Sequence, residues 1–152
     1  MVRALLVGAA AGAAGTSALE AVTYLDMAVR GRPASSTPQQ VIEKTAGDLG
    51  VRVPGEGATR QHRVEGLGSL GGIATGVGVG ALLGALRRLG LRPGPLAGSL
   101  LAGAVAMVSA NAPMTRMGIT DPRHWSTADW LADVVPHLAY GVVTHATLAG
   151  LD

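Results

Sequence analysis

Charged residues are absent or nearly absent from four stretches of this chain, residues 4–25, 67–86, 95–115 and 131–151. Each approaches the roughly 20 residues that a helix needs to cross a bilayer. The segment between the first two, residues 26–66, is too polar to enter lipid and long for a plain connection. Within it, Thr37 reads as an N-cap, Pro38 as the first helical residue, Gln40 as the capping-box partner and Gly50 as the stop, with Val41, Ile42, Ala46 and Leu49 on one side. That side is expected to rest on the bilayer surface or to cover the mouth of the other helices. The pattern predicts an all-α fold: a four-helix transmembrane bundle with one short amphipathic helix in the first loop, forming a single integral membrane domain over residues 1–152.

Glycine adds a packing surface to this plan. Gly68, Gly72, Gly76, Gly80 and Gly84 recur every four residues through the second stretch. In water, each would cost a helix about 1 kcal/mol against Ala. In lipid the backbone has no other partner, so the helix is enforced and glycine admits a close neighbour. Four residues turn 400°, so the row drifts about 40° per step and sweeps roughly 160° over the five positions. A neighbour touching most of them must cross obliquely. That neighbour is either another helix of the same chain or, in an assembly subunit, a second copy or another membrane protein.

Composition supports the same reading. The chain is 48% hydrophobic and 14% charged, against about 25% charged in soluble domains. Its apolar content is mostly Ala, Gly, Leu and Val, with no Phe, which suits close helix contacts in lipid better than a water-soluble core. The absence of Cys excludes disulfides, thiolate metal sites and cysteine nucleophiles. The basic pI, near 9.7, comes from arginines scattered over the loops without interleaved aromatics, which argues against nucleic acid. The expected partners are the lipid bilayer and, through the glycine ladder, a second copy or another membrane protein. The expected address is the cell membrane, multi-pass.

Any chemistry falls to the polar groups that the apolar stretches must hold, Glu20, Asn111 and His137. With a rise of 1.5 Å per residue, all three lie roughly 6 to 9 Å from the midplane, displaced towards the side of the first and third loops. Asp133, Tyr140 and Thr144 share the His137 face, and Ser109 and Thr115 flank Asn111. Pro113 and Pro136 remove backbone donors nearby, which frees the Ser109 and Ala132 carbonyls. Glu20, Asn111, His137, Tyr140 and Asp133 thus form a candidate vestibule for a proton or small ligand. In the competing reading, Glu20 simply hydrogen-bonds His137 or Asn111 and glues three helices together.

Sharper sites are not supported. His137 and His145 are about 12 Å apart along one helix, too far to share a zinc ion, so no metal site is expected. The glycines around Gly78 spell no dinucleotide fingerprint, and neither a phosphate loop nor a nucleophile elbow occurs. No cofactor is expected. Asp121, His124 and Asp133 lie near an interface that lipid headgroups reach, but their spacing matches no catalytic motif.

The start of the chain resembles a signal peptide in its charged Met1-Val2-Arg3 and short apolar core. Against cleavage, Gly8, Gly12, Thr16 and Glu20 carry a spacing of four beyond that core, and Thr16, Glu20 and Thr23 form a polar stripe. Tyr24, Trp125 and Trp130 gather where the first and third loops emerge, as interfacial aromatics do. With four spans both termini share the opposite side, and the count of basic residues places them outside.

The run Gly15-Thr16-Ser17-Ala18-Leu19-Glu20, then Tyr24-Leu25-Asp26-Met27 to Arg30-Gly31-Arg32-Pro33-Ala34, with Pro136-His137-Leu138-Ala139-Tyr140-Gly141 near the end, resembles the uncharacterised small four-helix membrane proteins of high-GC actinobacteria. A fainter likeness, resting on a carboxylate in the first stretch and His-x-x-Tyr-Gly in the last, connects it to small bacterial inner-membrane proteins linked to acid tolerance. These resemblances imply a membrane address and no reaction.

Overall fold

The computed structural model describes residues 1–151, which are all-helical with no strand among them. The order is α1 (Val2–Arg30), α2 (Thr37–Asp48), α3 (Gly57–Arg88), α4 (Pro95–Arg116) and α5 (Thr127–Gly150), with a 3-10 turn at Pro122–His124 before α5. Three helices, α1, α3 and α4, are long and apolar enough to cross a membrane. α5 is long enough, at 24 residues, but Asp133, His137, Tyr140 and His145 dilute its apolar character and it falls outside that group.

α1 packs along both α3 and α5, α4 packs along α5, and α3 touches α4 more lightly. The interior is built from small residues. Ala11, Ala102 and Ala106 are buried, with Val79, Leu83, Tyr140 and Leu148 filling the spaces between the helices. The large apolar side chains point outwards instead: Leu5, Leu6, Leu70, Leu82, Leu100, Val108 and Val142 are all exposed. In water so much exposed apolar surface would be a liability. In lipid it is the expected outer face, while small residues inside let backbones approach.

The glycine ladder is divided between two neighbours. A Cβ on Gly12 would stand 2.5 Å from the Gly76 carbonyl and 3.0 Å from Gly80 Cα, and one on Gly84 would reach 2.8 Å from Gly8 Cα. Gly76, Gly80 and Gly84 are therefore closed by α1 of the same chain. Gly68 instead meets Pro38 of α2, at 3.0 Å from its Cβ position, and a Cβ on Gly72 would meet no neighbouring element among the described residues within 4 Å. The drift of the row explains the division, because a partner that lies against three successive positions cannot follow the turn to the fifth.

Two elements depart from the sequence reading. The segment 26–66 is less of a loop than expected, since α1 continues to Arg30 and α3 begins at Gly57, ten residues ahead of its apolar stretch. α2 packs on the extension, in which Val64 is 3% exposed, and adds the Arg60–Glu43 pair at 2.7 Å. α2 thus has a protein partner in α3, although Leu49 of its apolar side stays exposed. The N-cap of α2 is Ser36 rather than Thr37, and Gln40 donates to the Ser36 hydroxyl rather than completing a capping box. Ser35 accounts for the shift, because its hydroxyl accepts from the Thr37 amide and shares a hydrogen bond with the Thr37 hydroxyl. Gly50 adopts φ 66° after the helix, a left-handed stop that glycine takes without a steric penalty.

Candidate functional site

The predicted vestibule residues separate into three groups. Asn111 on α4 donates its amide to the Asp133 carboxylate on α5 at 2.8 Å. His137, one turn after Asp133, places Nδ1 at 2.7 Å from the Asp133 backbone carbonyl and 3.6 Å from its carboxylate. A carbonyl only accepts, so Nδ1 carries the proton and a neutral ring leaves Nε2 as an acceptor. These three side chains form one polar network between α4 and α5, with His137 and Asp133 largely but not fully enclosed.

Tyr140 belongs elsewhere. It is 1% exposed and its hydroxyl donates across to the Gly76 carbonyl of α3 at 2.6 Å. Tyr140 therefore fastens α5 to α3 at the inner end of the ladder's contact with α1. Thr144, one turn on, is fully buried and its hydroxyl has no hydrogen-bond partner among the described residues. It occupies the space that a Cβ on Gly15 would need.

Glu20 is not joined to the network. It is half-buried and makes no hydrogen bond or ion pair among the described residues. The expected bond to His137 or Asn111 is absent for a local reason. Asp133 lies four residues before His137 on the same helix and directly opposite Asn111, so it supplies the oxygens that both groups use. The other members of the α1 polar stripe are satisfied within their own helix, Thr16 by the Gly12 carbonyl and Thr23 by that of Leu19.

Asn111 also lines an open groove of about 400 Å³ between the last turns of α4 and the segment leading into α5. Met107, Val108, Ala112, Arg116, Trp125 and Trp130 are among the residues that line it. The two tryptophans meet edge to face at 5.0 Å between ring centres, and Trp125 Nε1 donates to Thr120 at 2.8 Å. The sequence places both rings between the third and fourth apolar stretches. It does not show the groove, which depends on how residues 117–126 fold back.

That return is set by caps. Asp121 accepts the Arg123 amide and guanidinium and lies 3.1 Å from His124 Nδ1. Hydrogen bonding from Arg123 holds its carboxyl down at about 2. Ser126 and Asp129 then form a reciprocal capping box at the start of α5. The bonds from Ser126 keep the Asp129 carboxyl below its ordinary value. Asp121 and His124 are thereby engaged in turn structure. No group of three or more metal-ligating side chains occurs among the described residues.

The chain matches no known family model, no curated protein and no solved structure.

Proposed function

We propose that this is a multi-pass membrane protein of four spanning helices whose Asn111–Asp133–His137 network binds a proton or small ligand entering from the side of the α4–α5 connection. The observation that carries the reading is the orientation of α5. Its polar members Asp133, Tyr140, Thr144 and His145 turn inwards, while Leu131, Val135, Leu138 and Val142 form an exposed apolar stripe. Such a helix suits lipid in spite of its composition, since polar groups in a span face the protein interior.

Three features support a binding role for the network. An ionisable carboxylate lies beside an imidazole, the imidazole has an accepting Nε2, and Asn111 touches both the carboxylate and an open groove. The alternative of assembly through the ladder has less room, because α1 already closes Gly76, Gly80 and Gly84. Proteoliposomes carrying a trapped pH dye and an imposed potential test the reading. Proton uptake should fall about tenfold in Asp133→Asn and His137→Gln, whereas equal uptake in wild type, variants and empty vesicles would make the network structural.

A further inference from the structure

The groove beside the network has features that the proton reading does not use. Arg116, in the last turn of α4, is exposed and makes no ion pair or hydrogen bond among the described residues. Its neighbours in the connection are engaged: Arg123 and His124 with Asp121, and Asp129 with Ser126. No carboxylate is among the described residues that line the groove. Its lining therefore brings together the side chain of Arg116, two tryptophans and the apolar Met107, Val108 and Ala112. From Arg116 to Val108 is eight residues, about 12 Å down the helix axis. Val108 at that depth is 63% exposed.

We infer that this groove is a binding site for one phospholipid with a net anionic headgroup. The phosphate is held by Arg116, whose planar fork suits phosphate oxygens. An acyl chain lies along Met107, Val108 and Ala112, and the tryptophans mark the headgroup depth at which such rings settle. The volume falls within the range of pockets that enclose part of a small molecule. A free phosphate would leave the apolar lining unused, and a bare acyl chain would leave Arg116 unpaired. The inference rests on the reading of α4 as a spanning helix.

The test uses the full chain inserted in nanodiscs of equal phosphatidylglycerol and phosphatidylcholine, extracted into mild detergent and weighed by native mass spectrometry. One phosphatidylglycerol per chain is expected, enriched severalfold over phosphatidylcholine. Arg116→Gln should reduce that retention about tenfold, and Ala112→Leu, which narrows the groove and leaves the cation, should reduce it as well. Circular dichroism shows whether each variant keeps its helices. An inserted chain that retains no lipid, or retains phosphatidylglycerol equally with Gln at 116, overturns the site. Preferential phosphatidylcholine moves recognition to the tryptophan faces and overturns the anionic assignment. A chain that does not enter the nanodisc overturns the spanning reading and the site together.

Discussion

The Tyr140 hydroxyl donates to the Gly76 carbonyl across 2.6 Å, joining α5 to α3 at the point where α1 also reaches the glycine ladder. Both partners are buried, so the bond forms away from solvent. Removing it with Tyr140→Phe keeps the ring and its packing. The variant should lose about 1 kcal/mol of stability, read as a fall of a few degrees in the melting temperature of the detergent-solubilised protein. An unchanged melt would show that the hydroxyl adds nothing to its ring.

The ladder should respond unequally along its length. Gly80→Leu forces a side chain into the backbone of Gly8 and Gly12, which cannot yield without separating α1 from α3. Loss of the folded protein is expected. Gly72→Ala meets open space and improves helix propensity, so its melting temperature should stay level or rise. Equal damage at both positions, measured by yield and melting temperature, would show that a second chain covers Gly72.

Gly15 and Thr144 should be coupled. The Thr144 hydroxyl stands where a Gly15 Cβ would go and is the nearest group to it, with the Tyr140 ring next at 2.9 Å from that position. Gly15→Ala alone should cost about 1 to 3 kcal/mol by overpacking. Adding Thr144→Ala removes the hydroxyl and opens room for the new methyl, so the double variant should recover part of the loss. Strict additivity in a double-mutant cycle would mean that the two residues do not meet.

Acid should weaken the α4–α5 connection. The Asp121 carboxyl sits at about 2, below its ordinary 3.8, and Asp129 is lowered as well. A depressed folded-state value means that the unfolded chain binds more protons as pH falls, so this stabilisation is complete above about pH 5 and is lost between roughly pH 4 and 2. Melting temperature should decline through that window and decline less in Asp121→Asn. The slope depends on exposed groups and should shrink in high salt. An identical slope in the variant would assign the acid effect to other carboxylates.

Much of this architecture was legible because it follows from spacing. α4 falls within a residue of its apolar stretch, 95–115, at both ends, and Gly76, Gly80 and Gly84 announce a close neighbour before any helix is placed. Depth along the helices brings Glu20, Asn111 and His137 level and the His137 face adds Asp133, and of these the structure joins Asn111, Asp133 and His137. Glu20 was misjudged because depth says nothing about which helices touch. α1 lies on α3 and α5, where its contacts are Gly15 with Thr144 and Tyr140, and Asp133 had already taken both polar partners. The early start of α3 could not be read from hydropathy, because α2 rather than lipid supports those residues.

The central claim is that α5 crosses the bilayer with its polar face inward, and the chain's lack of cysteine makes it directly testable. Single Ser126→Cys and Gly150→Cys variants, labelled in intact cells or sealed vesicles with a membrane-impermeant maleimide, report the two ends of α5. Labelling of one position from outside, with the other labelled only after permeabilisation, is the predicted result. Equal labelling of both from the same side would contradict the four-helix reading.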